Sequence, residues 1–170
     1  MIETMVREGG AWREGSHYHY LVGLPALFQS AVQLYYANGF DLFSHPKLKA
    51  NFEYLMATTT PPDTRFGLRV VAPFGTASWG VCSLFGWVAN LTKKSDPSFS
   101  RRMQWMWREQ GRPGEGDLVI DLDLPAETPA LRSASFPGFG VVLRCGFPSK
   151  EETWVAFRMG ENVEHYNFGD

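Results

Sequence analysis

Between Tyr20 and Asn38 the apolar residues Leu21, Leu24, Leu27, Phe28, Ala31, Leu34 and Tyr35 recur at the spacing of one helix face. Asn38-Gly39 then supplies the left-handed stop that ends many helices. Pro25 falls inside the pattern, so the regular helix begins near it or kinks there. Ser44-His45-Pro46 offers an N-cap and a first-turn proline. A second helix is predicted over about 46–58, burying Leu48, Phe52, Leu55 and Met56 and ending at Thr59-Thr60-Pro61-Pro62-Asp63. From Phe66 to Gly80, with Pro73, Gly75 and Gly80, no period holds, and the stretch reads as a long loop of the kind that often carries function. Helices follow over about 81–91 and 97–110, the latter capped by Ser95-Asp96-Pro97 and stopped by Gly111 and Pro113.

Two successive helix–turn–helix pairs suggest an array of helical hairpins. After Gly111-Arg112-Pro113-Gly114-Glu115-Gly116 the texture changes to β-rich runs, Gly138–Cys145 and Thr153–Arg158. The polar turn Pro148-Ser149-Lys150-Glu151 joins them as a hairpin. The pattern therefore predicts an α+β chain, with a helical part over 1–112 and a linker and β part over 113–170. Two strands alone make no stable sheet, so the β part reads as one that has barely begun.

Composition narrows the function classes. Formal net charge is −2 over 170 residues, which supplies no global field for nucleic acid or an anionic membrane. No run approaches a transmembrane helix in length, and the first eight residues carry acids and lack the apolar centre of a signal peptide. An anionic ligand would need local cations, for which Arg13, Arg65 and Arg69 are candidates. Aromatic residues reach 15%, a content that suits either a sugar-binding cleft or an aromatic core. Cys82 and Cys145 show no metal-ligand spacing and read as isolated thiols.

Two short stretches concentrate the chemistry. Trp12-Arg13-Glu14-Gly15-Ser16-His17-Tyr18-His19-Tyr20 holds two of the four histidines beside a carboxylate, a guanidinium and two phenols. Histidine suits proton transfer near neutral pH, with tyrosine or glutamate as its partner. An extended backbone would put His17 and His19 on one face, a pairing that also fits a metal, whereas stacking and capping would explain the same residues structurally. The second stretch is Glu164-His165-Tyr166-Asn167-Phe168-Gly169-Asp170, where His165 can move protons and His165, Asn167 and Asp170 can ligate a divalent cation. Nucleophile-elbow, phosphate-loop and HExxH signatures are absent.

In order along the chain, these stretches resemble the heparinase II/III-like polysaccharide lyases. Glu14-Gly15 with the Tyr/His run and the apolar helix resembles that family's "EG..Y..Y" helix start. Phe40-Asp41-Leu42-Phe43 with Pro46 resembles its inter-helix turn. Phe136-Pro137-Gly138-Phe139-Gly140-Val141-Val142-Leu143-Arg144 is similar to its "FP..G..V.R" strand, and His165 to Asp170 to the stretch that begins its second catalytic segment.

The resemblance implies helical hairpins of an (α/α) toroid followed by the first strands of an antiparallel β-sandwich. It implies β-elimination on an acidic, uronate-containing polysaccharide. A base takes the proton α to the carboxylate, a neutralising group stabilises the developing charge, and an acid protonates the leaving oxygen. Carried onto this chain, Glu14, His17, Tyr18, His19 and His165 are the catalytic candidates. Trp12, Arg13 and Trp79 are candidates for binding substrate, and Asn167 and Asp170 for holding a metal. No cofactor is required by the sequence, although a divalent metal near His165 fits the residues present. A periplasmic or secreted location follows only from the resemblance. The alternatives are a non-catalytic carbohydrate-binding helical module and a structural interaction domain.

Overall fold

A computed structural model describes residues 2–14, 19–72 and 80–159. After a short helix α1 (Ile2–Met5), a wide helical turn over His19–Gly23 leads into α2 (Leu24–Asn38). Pro25 sits in the first turn of α2, where its missing N–H costs nothing. At the other end Gly39 takes the left-handed conformation at φ 72° and donates to the Tyr35 carbonyl at 3.0 Å. Helix α3 (Pro46–Ala57) follows, then α4 (Leu84–Thr92) and α5 (Pro97–Glu109).

The caps differ in one place from the sequence expectation. His45, and not Ser44, caps α3, its Nδ1 accepting from the Lys47 N–H at 3.2 Å. Ser44 is drawn into a preceding turn, Leu42–Ser44, whose N–H groups are taken by the Asp41 carboxylate. At α5 the expected cap holds: Asp96 accepts from the Phe99 N–H at 3.1 Å. Asp96 also pairs with Lys49 at 2.7 Å, fastening the start of α5 to α3.

Helices α2–α5 bury one apolar cluster that includes Leu24, Phe28, Phe43, Phe52, Phe85, Met103 and Trp107. Each fully buried Phe, Leu or Met side chain contributes roughly 1.5–3 kcal/mol. The segment after Gly111 runs back along this bundle. Ile120 joins the cluster, Gln104 donates to the Asp121 carbonyl, and Arg108 donates to the Leu124 carbonyl.

Three antiparallel strands complete the α+β architecture in the order β1 (Ala134–Phe136), β2 (Gly140–Cys145), β3 (Thr153–Arg158). The run Phe136–Arg144, which the resemblance takes as a single strand, is broken. Pro137-Gly138-Phe139 turns the chain, with Gly138 at φ 81° and the Phe139 N–H donating to the Phe136 carbonyl at 3.0 Å. The inner face of the sheet (Phe136, Val142 and the partly buried Trp154 and Ala156) packs with Ala11 and Tyr54 of the helical part. Tyr54 is the pivot of this seam, its ring edge-on to Phe136 and Phe139 at 5.0 and 5.4 Å.

Two surfaces are uncharged and exposed among the described residues. On the sheet, Val141 pairs with Phe157, Leu143 with Val155 and Cys145 with Thr153, an outer face without a charge. Leu143, Val155 and Phe157 on it are 42–51% exposed. On the helical side, no charged residue occurs from Tyr20 to Phe40. Only the first half of α2 is buried, while Tyr36 and Phe40 beyond it are exposed.

Candidate functional site

The seam between helices and sheet gathers the polar groups, in two clusters. The first grows from the stretch that the sequence marks out. Trp12 and His19 are both interior, at 4% and 1% exposure, and their rings stack with centroids 5.5 Å apart. Two close approaches build this packing. Gly10, at φ +94°, lets its turn touch α3, where a Cβ would lie 2.0 Å from the Ala50 carbonyl oxygen. Gly23 lies under Trp12, where a Cβ would meet the indole at 2.3 Å.

Asn51, fully buried on α3, decides the state of His19. Its Nδ2 donates to the Gly10 carbonyl at 2.6 Å, so its Oδ1 faces His19 Nε2 at 2.8 Å. The Nε2 must therefore carry the proton, which leaves Nδ1 as a buried lone pair without a hydrogen-bond partner among the described residues. Burial pushes the His19 pKa down to about 4, with the Asn51 hydrogen bond opposing the shift. At neutral pH this imidazole is uncharged: it can accept a hydrogen bond, but it is no acid.

The other members of the cluster separate. Glu14 is half-buried and accepts from Trp12 Nε1 at 3.4 Å, while Arg13 is exposed. His17, Tyr18, Trp79, His165, Asn167 and Asp170 lie outside the described residues. Among the described residues no group of three or more His, Cys, Asp or Glu side chains could hold a metal. Arg65 lies on the surface in a two-pronged pair with Asp63.

The second cluster is charged, and only Arg69 of its members is a candidate from the sequence. Arg69 is 2% exposed. Its guanidinium donates to both oxygens of Glu152, at 3.1 and 2.6 Å, to Glu109 at 3.2 Å and to the Thr60 carbonyl at 3.2 Å. Arg144 grips the same Glu152 carboxylate from β2 and donates to the Ala57 and Thr59 carbonyls at the end of α3. A cation there also meets the negative end of the helix dipole. Burial pulls the Arg144 pKa down, and the Glu152 charge opposes this. One hairpin carboxylate thus ties β3 to β2 and to the helical part.

A cleft of about 460 Å³ opens beside this cluster, with Arg69, Trp105 and Glu109 on the helical side and Pro148, Ser149 and Lys150 on the hairpin. Trp105 carries the Arg69 guanidinium over its ring at 5.3 Å and meets Phe147 edge-on at 5.6 Å. Asn51, Trp105, Glu109, Arg144 and Glu152 are the functional-site residues that sequence reasoning misses. Arg144 alone left a trace, as the last residue of the strand motif.

Comparison with protein-family models, curated proteins and solved structures finds no match for this chain. No helix among the described residues is long and apolar enough to cross a membrane.

Proposed function

We propose that this chain forms the helix-to-sheet junction of a heparinase II/III-like polysaccharide lyase, in which hairpins of an (α/α) toroid lead into an antiparallel β-sandwich. The observation that carries this reading is the exposed apolar outer face of the sheet, together with the uncharged and half-exposed α2. A toroid sets further helices beside a helix such as α2. A sandwich lays a second sheet about 10 Å above a face such as that of Leu143, Val155 and Phe157. The polar groups then lie where the two layers meet, the usual place for a ligand between layers.

The chemistry is β-elimination on a uronate-containing polysaccharide. The interior position of His19, with Asn51 fixing its tautomer, supports a positioning role for it and leaves Glu14, His17, Tyr18 and His165 as the candidates for proton transfer. Exposed Arg13 is a cation able to offset the substrate carboxylate. His165, Asn167 and Asp170 offer the donors that a divalent metal takes. The test is incubation of the complete gene product with several acidic polysaccharides, with and without divalent cations, followed through the ultraviolet absorbance of the unsaturated ends. Absorbance that depends on His17 and His165 is expected, and none with any uronate polymer overturns the lyase reading.

One observation favours a second reading, sugar binding without chemistry: the histidine that the structure describes in the opening cluster is buried, neutral and already hydrogen-bonded. In that case substitution of His17, His19 and His165 together leaves glycan affinity unchanged in a glycan-array or calorimetric measurement.

A further inference from the structure

The N-terminal arm, residues 2–14, folds on itself and is seated on α3. Val6 bridges to Trp12, the Arg7 N–H donates to the Ala11 carbonyl at 2.8 Å, and the Arg13 N–H donates to the Met5 carbonyl at 2.9 Å. We propose that this arm is an acid-released strap, held on α3 by the uncharged imidazole of His19 and let go when that imidazole takes a proton. Arg13 and Glu14 ride on the arm, so its release also withdraws a cation and a carboxylate from the seam.

The ties that seat the arm differ in how they meet a proton. At its start Lys47 pairs with Glu3 at 2.7 Å, and His45 Nε2 approaches the same carboxylate at 3.2 Å. At its centre Asn51 donates to the Gly10 carbonyl and accepts from His19, whose ring stacks on Trp12. The groups that face His19 are therefore Trp12 of the arm, and Asn51 and the Tyr54 phenol of α3. Its own turn and α2 carry no charged residue, and the Glu14 carboxylate is engaged by the Trp12 indole. A second proton, on Nδ1, would find no acceptor among the described residues. The resulting charge would be buried without a counter-ion, which the seated arm does not tolerate.

Release lifts Trp12 from the imidazole and admits water. The open arm then binds a proton that the seated arm refuses, so acid favours opening. Burial, which holds the seated His19 pKa at about 4 against 6.5, sets the window: the effect begins near pH 6.5 and saturates below about 4. Between pH 7 and pH 5 this linkage amounts to roughly twentyfold in the opening equilibrium. The arm also buries Ile2, Val6 and Trp12 in the helical core, so opening is rare at neutral pH and such a change stands above a low background. His45 responds differently. Protonation there removes the cap bond from the Lys47 N–H, because Nδ1 can no longer accept, yet it strengthens the exposed pair with Glu3. These effects oppose each other, which leaves His19 as the trigger.

The experiment is hydrogen exchange of the whole chain between pH 7 and pH 5, read at single amides and corrected for the intrinsic pH dependence of exchange. An isolated hairpin is marginal in water, so the Arg7 and Arg13 amides exchange once the arm leaves α3. Their protection should fall roughly twentyfold while that of the α5 amides stays unchanged. His19→Phe, which keeps a ring against Trp12, should flatten the fall. Asn51→Asp places a carboxylate opposite Nε2, lets the seated arm hold an imidazolium, and should shrink the fall; it serves as the second variant if His19→Phe does not fold. His45→Asn retains a good cap for α3 and should leave the fall intact. Arm amides that keep their protection at pH 5, or lose it only in step with α5, overturn the strap. An undiminished fall in either His19→Phe or Asn51→Asp overturns it too, and a fall abolished by His45→Asn overturns the role given to His19.

Discussion

The two polar clusters at the seam solve the same problem in opposite ways. Around His19 the groups are neutral, and burial is tolerated because Asn51 and the Gly10 carbonyl complete a short chain of hydrogen bonds. Around Glu152 the groups are charged, and burial is tolerated because two guanidiniums converge on one carboxylate. The first cluster comes from residues close together in the sequence plus one asparagine. The second comes from residues scattered over α5, the loop after α3, strand β2 and the turn of the hairpin. A neutral cluster responds to proton concentration when its base is buried, whereas a charged one responds to the loss of a partner.

The largest expected effect is therefore Glu152→Ala. Two arginines would be left facing each other in the interior, and breaking a buried pair in this way costs about 3–5 kcal/mol. Urea unfolding should show a lower midpoint with an unchanged slope, provided the transition stays two-state. A loss below about 1 kcal/mol would mean that the hairpin swings out and solvates its charges, which would break the contrast between the clusters.

Next comes the pH dependence of the neutral cluster. His19 has a folded pKa of about 4 against an ordinary value of 6.5. Between those values the unfolded chain binds the proton and the folded chain does not, so acidification favours unfolding. The stabilisation is complete above about pH 6.5, declines as the pH falls, and is exhausted below about pH 4. The shift corresponds to a loss on the order of 3 kcal/mol. His19→Phe should remove this component from the difference between stability curves at pH 7 and pH 4.5. If the two proteins lose stability in parallel, His19 is not the group that titrates.

Asn51→Leu asks whether the neutral cluster depends on hydrogen bonding or on packing. It strips partners from the His19 Nε2 proton and from the Gly10 carbonyl, and an unsatisfied buried group costs about 1–3 kcal/mol. Thermal unfolding should show a loss in that range. An unchanged midpoint would place the stability of this region in the Trp12–His19 stack.

How far the sequence disclosed all this follows from the kind of signal each feature carries. The four long helices were legible because period and caps agree: Leu24, Leu27, Phe28 and Ala31 are the buried stripe of α2, and Asp96 caps α5. Strand β1 was not legible, because three residues ending at Phe136-Pro137 are too few to show alternation. Ser44 was mistaken for the α3 cap because Asp41, three residues upstream, claims that turn first. The titratable stretch at Trp12–Tyr20 announced itself, yet its burial did not, since that depends on Gly10 and Gly23 admitting close contacts. Arg69, Glu109, Arg144 and Glu152 meet only through tertiary packing, across separations of up to 83 residues between partners, and a sequence pattern has no term for such a meeting.

The smallest effect is expected at the rim of the charged cluster. Glu109 pairs with Arg69 at 3.2 Å but is 36% exposed, against 1% for Glu152. Glu109→Gln keeps an oxygen able to accept from Arg69 and removes a charge that water already screens, so the cost should be within about 1 kcal/mol. The ratio of this loss to that of Glu152→Ala measures how steeply the value of a carboxylate rises with burial within a single network. A thermal scan at low and high salt checks it: the Glu109 effect should fade with salt and the Glu152 effect should persist. Equal losses for the two would mean that Arg69 shares its charge evenly between them.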